Sequence, residues 1–550
     1  MKNERIAMAA TLVLAIIISL PNFLYPLFED AALYSLIGHL MGDGLLPYRD
    51  LLDQKPPAIY WTTFLFDLLV GPSNIGLRAM ELVTILLMGF ACGLSAREIS
   101  GKRWALPAGI LLTTCLSSGL FWAVVERGQV EWYQATACAW AVYFAVLAMR
   151  TSRARHLALA GGMASLACWY KPQAAIFALG MASVLFLFFW RTSFRQALRS
   201  ALWIAGAAVA ASSPFVLWML ATGIFDDFVT VMFVDNAQYL QHSPIPTLGK
   251  ALQRLFFWPW LDSEDRWLLR LLTGAGLAGF LLSSKTSDNH HRHFSGLLVL
   301  VWAGAALAQY LSGRYLFRYH SLIFIPIAAL LLTLGMTTLV NLYRDLVANH
   351  LRPFIRTTVK FAVPLIVAIT LLSNPKYGNE WASTRSWLWG SLTTEKIYHA
   401  YGKRLSYYEY RAQELAAEII KARTRPGDRV QLIGRGGTFY LFVDRLPATP
   451  YLVTNGLFDT RRSTHEKHFA RFMKAIKGSN PAFILIRRND AFPWFGLPSS
   501  ETQIKAKLEF LNFLKTRYSI DGNFGQFFWV LKRVDYQEPT TTELQRETMR

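Results

Sequence analysis

Long apolar runs separated by short polar loops make up most of the first 373 residues, and a different pattern takes over after Ser373. Bilayer-length apolar segments fall at about 7–25, 75–96, 104–124, 131–149, 156–170, 172–190, 200–221, 266–284, 294–311, 318–342 and 359–373. Runs of that length and composition predict about eleven transmembrane helices, within a range of 11–13. Beyond Ser373 a charged helical stretch, Tyr408 to Lys421, ends before Arg425-Pro426-Gly427-Asp428. Strand-like runs follow at Arg429–Ile433, Phe439–Val443, Pro481–Ile486 and Phe527–Leu531, with helical segments at Thr464–Lys477 and Glu501–Lys515. This order predicts a small α/β domain. The expected architecture is therefore a polytopic α-helical membrane domain over residues 1–373, followed by a soluble α/β domain over 374–550.

Composition agrees with the pattern, because 53% hydrophobic and 14% aromatic residues in 550 is too apolar for a soluble chain. The formal charge of +20 would suggest a polyanion partner on a soluble protein. Here the excess lies largely in alternate short loops: Lys2 and Arg5, Arg97 to Arg103, Arg150 to Arg155, Arg191 to Arg199, Lys285 and Arg292, and Arg344 to Lys360. That alternation reports topology, with these loops and the N-terminus cytoplasmic, and no nucleic-acid partner is expected. The first segment begins like a signal peptide but has no small-residue cleavage site before Pro21, so an uncleaved helix is expected. Cys92, Cys115, Cys138 and Cys168 lie in apolar spans without CxxC spacing, which suggests neither a disulfide framework nor a thiolate metal site.

The topology turns the remaining loops to the opposite side together. The first of them, within 26–74, carries Glu29-Asp30, an amphipathic run containing Tyr34, then Pro47-Tyr48-Arg49-Asp50, Asp53 and Lys55-Pro56-Pro57. Charges at a membrane edge are costly to keep and are functional candidates by default. Asp30 is the first candidate, with a plain helix cap as its alternative; Glu29 would point elsewhere, since adjacent helical residues diverge. Lys55 is held extended by the prolines and is suited to bind a phosphate. Glu131 is either a second carboxylate of the site or a helix-end charge, with Glu126 as a substitute. Lys171, in Trp169-Tyr170-Lys171-Pro172, either snorkels or reaches substrate. Arg314 and Arg318 stand four apart beside Tyr315, Tyr319 and His320; if the turn is helical, their guanidinium groups share a face. His290, His291 and His293 read as a solvated loop, and Gly434-Arg435-Gly436-Gly437 as a plain strand-to-helix turn.

The sequence Glu29-Asp30-Ala31-Ala32-Leu33-Tyr34, with Gly44 to Pro47, Tyr48-Arg49-Asp50 and Lys55-Pro56-Pro57 before Tyr60-Trp61, resembles the first outer loop of the GT-C glycosyltransferases. The likeness is to the branch with the protein O-mannosyltransferases and lipid A aminoarabinose transferases. It continues in Glu131, Lys171-Pro172, Gly313 to His320 and Asp444 to Ala448. The resemblance implies transfer of a sugar, with inversion, from a polyprenyl-phosphate donor to a glycan, lipid A or lipopolysaccharide, or protein acceptor. It implies a bacterial inner membrane, with the active site and the C-terminal domain periplasmic. Asp30 would act as general base, or Glu29 after a one-residue slip, with Glu131 as a second acidic residue. Lys55, Arg314 and Arg318 would bind the donor phosphate, and Glu29, Tyr34, Lys171, Tyr319 and His320 would line the substrate. No obligatory metal or other cofactor is expected. The rivals are a glycan ligase or polymerase using a polyprenyl-diphosphate donor and, from another class, a lipid or solute transporter.

Overall fold

The computed structural model describes residues 2–120, 127–241, 247, 249–250, 290–313, 316–346, 375–404, 410–458, 464–491, 496–524 and 527–540. The helices, in chain order, are α1 (Lys2–Ser19), α2 (Glu29–Gly42), α3 (Ala58–Val70), α4 (Asn74–Ser100), α5 (Ala105–Cys115), α6 (Val130–Thr151), α7 (Ala154–Tyr170), α8 (Ala175–Trp190) and α9 (Phe194–Thr222). They continue as α10 (Phe225–Val229), α11 (Asn236–Gln241), α12 (His290–Ser312), α13 (Ile325–Leu346), α14 (Pro375–Leu388), α15 (Thr394–Arg404) and α16 (Tyr410–Ala422). The last four are α17 (Gly437–Val443), α18 (His465–Ser479), α19 (Ser500–Lys505) and α20 (Leu508–Arg517).

Among the described residues, seven helices are long and apolar enough to cross a membrane: Glu4–Leu24, Asn74–Ser100, Val130–Thr151, Pro172–Trp190, Phe194–Thr222, His291–Ser312 and Arg318–Asn341. Seven of the expected spans fall on them. The segment expected at 104–124 is a shorter apolar helix that loosens into a π-helical turn at Leu116–Leu120, and that at 156–170 is the 17-residue α7. The spans expected at 266–284 and 359–373 lie outside the described residues. The chain is a multi-pass membrane protein.

Two compact units divide the chain. The first comprises Met1–Phe23, Arg78–Trp218 and Pro244–Trp389 and holds most of the apolar helices. Helices here pack through small residues, as membrane helices do. A Cβ placed on Gly109 of α5 would lie 2.4 Å from the Gly93 Cα of α4, so only glycine permits that crossing. Two buried polar clusters inside this unit are paired. The Gln134 and Gln309 amides exchange hydrogen bonds of 2.7 and 2.8 Å, and the fully buried Glu81 carboxylate accepts from Arg78 at 2.9 Å and Arg127 at 3.3 Å.

The second unit comprises Leu24–Leu77, Met219–Ser243 and Gly390–Arg550. Its sheet has the order β1-β2-β4-β3, where β1 is Val430–Ile433, β2 Phe483–Arg487, β3 Tyr518–Phe524 and β4 Phe528–Arg533. β1 and β2 run parallel, with Val430 opposite Phe483, while β4 is antiparallel to both β2 and β3. Phe458, Phe469, Phe472, Ile484, Phe510 and Leu531 belong to the core against this sheet. Two expected elements differ, and one strand was not expected. Phe439–Val443 is part of helix α17, because a short unbroken apolar run has no diagnostic period and its buried residues Phe439, Tyr440 and Val443 fall on one helical face. Glu501–Lys515 is split into α19 and α20 at Ala506 and Lys507. β3, of mixed polarity and interrupted by a bulge between Ile520 and Gly522, carries no alternating pattern to announce it.

Candidate active site

α2 starts at Glu29 with Phe28 as its N-cap and no side-chain cap bond, so Asp30 is not a capping residue. Both carboxylates lie in the first turn, where the helix dipole favours negative charge. Their environments diverge. Glu29 is 5% exposed and meets Arg435 two-pronged, Nε to Oε1 at 3.1 Å and Nη1 to Oε2 at 3.3 Å. Burial pushes the Glu29 carboxyl up to about 7, with Arg435 pulling it down and Asp30 adding to the rise. Asp30 is half-buried and, among the described residues, makes no ion pair.

Arg435 reaches Glu29 through the turn between β1 and α17. Gly434 has φ +131°, and a Cβ there would fall 2.7 Å from the Arg487 Cβ. At Gly437 a Cβ would lie 2.9 Å from the Leu33 nitrogen and 3.1 Å from the Glu29 carbonyl oxygen. The glycines thus let α17 meet the first turn of α2 backbone to backbone. The turn is a strand-to-helix turn as read from the sequence, but its arginine carries a role that reading missed. An arginine flanked by glycines after a strand was the available signal.

Lys55 is fixed through its backbone. The Tyr48 hydroxyl donates to the Lys55 carbonyl at 2.7 Å, and the Lys55 amide donates to the Tyr60 hydroxyl at 3.3 Å. Tyr60 in turn donates to Asp53 Oδ2 at 2.7 Å. Tyr48 is fully buried with φ 70°, a conformation that costs energy for an aromatic residue and marks a constrained loop. Pro57 leads directly into α3. The Asp53 carboxyl is raised chiefly by burial, with Lys55 and Tyr60 lowering it and Asp30 raising it. Asp30, Asp53 and Lys55 therefore share one electrostatic neighbourhood. Tyr34 is buried in α2, with its ring 6.4 Å from Tyr60 and its carbonyl accepting from Thr63 at 2.8 Å, so it joins α2 to α3.

The other candidates belong to the first unit. Lys171 Nζ lies 2.6 Å from Glu131 Oε1, and His320 Nε2 is 3.9 Å from the same oxygen. Glu131 is thus not an isolated helix-end charge but half of a buried ion pair. Tyr319 stacks on Phe317 at 5.5 Å and meets His320 edge-on at 4.6 Å. The expectation that Arg314 and Arg318 share a helical face involves a residue outside the described ones, Arg314. Helix α12 ends at Ser312, Leu316 is left-handed at φ 50°, and Arg318 opens a separate 3-10 turn, Arg318–Phe324. His290, His291 and His293 start α12 rather than lying in a loop. Glu126 is outside the described residues, and the buried Arg78, Glu81 and Arg127 were not singled out from the sequence. Among the described residues, no three His, Cys, Asp or Glu side chains converge as a metal site.

Comparison with known proteins follows the same lines. Residues 54–218 match the family described as dolichyl-phosphate-mannose-protein mannosyltransferase. The structure of ArnT from Cupriavidus metallidurans bound to undecaprenyl phosphate is similar over 96% of this chain and 98% of that one, at 14% identity and a TM-score of 0.55. The apo form of that protein gives 95% and 97% coverage, 13% identity and a TM-score of 0.56. No curated protein matches the chain. The chain thus shares the fold of ArnT, and its residues 54–218 are similar to the dolichyl-phosphate-mannose-protein mannosyltransferase family.

Proposed function

We propose that the protein transfers a sugar from a polyprenyl-phosphate donor to a glycan, lipid or protein acceptor, with inversion at the anomeric carbon and Asp30 as general base. The observation that carries this reading is the division of labour at the start of α2: Glu29 is committed to Arg435, while Asp30 is accessible and beside the Asp53–Lys55 loop. A base must reach the proton it removes, and a leaving phosphate needs preorganised positive charge. As the acceptor hydroxyl oxygen bonds to the anomeric carbon, its proton passes to Asp30, and the bond from that carbon to the phosphate oxygen breaks. Lys55 then stabilises the departing polyprenyl phosphate, a role its rigid backbone setting favours; Arg314 and Arg318 are assigned to the same phosphate by the family resemblance. ArnT from Cupriavidus metallidurans, which shares the fold, binds undecaprenyl phosphate. Glu131, neutralised by Lys171, is assigned with Lys171, Tyr34, Tyr319 and His320 to orienting substrate rather than to proton transfer. The alternating basic loops support a cytoplasmic N-terminus and a periplasmic C-terminal domain in a bacterial inner membrane.

The test is transfer from a panel of short-chain polyprenyl-phosphate sugars to membrane extract, with EDTA present, by the wild type, Asp30→Asn and Lys55→Ala. The reading expects donor-dependent transfer that persists in EDTA and is lost in both variants. Activity confined to polyprenyl-diphosphate donors would favour the ligase or polymerase, and an absence of donor consumption would favour the transporter.

A further inference from the structure

We infer that Arg435 is a positioning residue for sugar transfer: its guanidinium fork seats Glu29 and thereby fixes the turn of α2 that presents Asp30. The inference rests on the reading of Asp30 as the base. It places a determinant of the reaction in the Gly434–Gly437 turn, some four hundred residues along the chain from the carboxylate it serves.

Three observations converge on it. Adjacent residues of a helix point about 100° apart, so clamping Glu29 sets the direction in which Asp30 leaves α2. The contact has two points, a hydrogen bond from Nη1 to Oε2 at 3.3 Å and an approach of Nε to within 3.1 Å of Oε1, and the hydrogen bond is charge-assisted. Its base is also rigid: Arg487 Nη1 donates to the Arg435 carbonyl at 2.6 Å. Asp490, beside Gly434, accepts from Ser500 N and Ser500 Oγ at 2.7 Å each and from Asn455 at 3.1 Å. The close approach at Gly437 then ties the same turn to the backbone of Glu29 and Leu33. The charged groups that bear on Glu29 are Arg435, Asp30, Arg487 and Asp490. Of these, Arg435 is paired directly with it.

A residue that only stabilises the fold and one that aims the base predict different results. In the full-length protein, Arg435→Met and Glu29→Gln should each lower kcat by on the order of 10–100-fold, as small misplacements of reacting groups do, with donor KM changed by less than about threefold. Arg435→Lys, which keeps the charge but not the fork, should restore part of the loss. The double variant Glu29→Gln/Arg435→Met should be no worse than either single one, because the two residues act as a unit.

A second readout does not depend on turnover. Asp30→Cys is labelled with a neutral thiol reagent, with the wild type as background, since Cys92, Cys115 and Cys138 are buried and Cys168 half-buried. Adding Arg435→Met should change the labelling rate of residue 30 at least about fivefold, through its setting and thiolate fraction. An unchanged labelling rate, or an Arg435→Met enzyme with wild-type kcat, overturns the inference. Wild-type protein that consumes no donor overturns the proposed function instead, while the labelling still decides whether Arg435 controls residue 30.

Discussion

Removing Lys171 should be more damaging than removing the whole ion pair to which it belongs. Glu131 is 1% exposed and its carboxylate lies 2.6 Å from the Lys171 ammonium. In Lys171→Met the carboxylate stays buried and loses that partner; breaking a buried pair from one side costs about 3–5 kcal/mol. His320 lies 3.9 Å away, beyond hydrogen-bond distance, and does not replace the ammonium. In Glu131→Gln/Lys171→Met both charges are gone, and neutral groups of similar volume should bring the cost to within about 1 kcal/mol of wild type. Glu131→Gln alone should fall between, because Lys171 ends α7 and its long side chain can turn toward water. At roughly 2 °C per kcal/mol for a large domain, the lysine variant should melt about 6–10 °C lower. Tryptophan fluorescence of the purified protein in detergent measures this. A double variant that melts as low as Lys171→Met would refute the argument, since the damage would then come from lost packing rather than from a stranded charge.

Three further outcomes are expected. Gly437→Val should destabilise by about 1–3 kcal/mol through overpacking against α2, whereas Gly427→Ala, where an added Cβ meets nothing within 4 Å, should leave the melting midpoint within about 0.5 kcal/mol of wild type; parallel melting curves check both. Tyr60→Phe removes the hydroxyl joining Asp53 to the Lys55 amide, and should raise donor KM with a stability cost of about 1–3 kcal/mol for the polar groups left unpaired. Because Glu29 titrates at about 7 in the fold against an ordinary 4.5, the folded state binds the extra proton between those values, and this group's contribution to stability declines as pH rises through that window. Glu29→Gln should abolish that decline, as melting at pH 5 and pH 8 would show.

The membrane helices were legible because lipid demands long apolar segments, and α4, α6 and α9 show that demand without interruption. Asp30 and Lys55 stand out in the sequence as candidates for a related reason, since charge at a membrane edge and lysine before two prolines are both costly or constraining. What stayed hidden depends on distant partners. Nothing local to Arg435 reveals that it meets Glu29 across 406 positions, and nothing local to Glu131 distinguishes a free carboxylate from one held by Lys171. The buried Glu81 pairs with Arg127 across 46 positions in the same way. Phe439–Val443 was misread because its apolar run lacks a period, and the choice of helix came from packing: the Tyr440 hydroxyl accepts from the Leu432 amide at 2.8 Å and Gly437 abuts α2.

Asp30 is proposed to take the acceptor's proton while a polyprenyl phosphate leaves. The most direct test is the rate of sugar transfer by Asp30→Asn at saturating polyprenyl-phosphate donor, measured beside binding of polyprenyl phosphate to the same preparation. The account predicts a rate lower by about 10²–10⁴-fold with phosphate-lipid binding unchanged. An Asp30→Asn enzyme that turns over at the wild-type rate would contradict it.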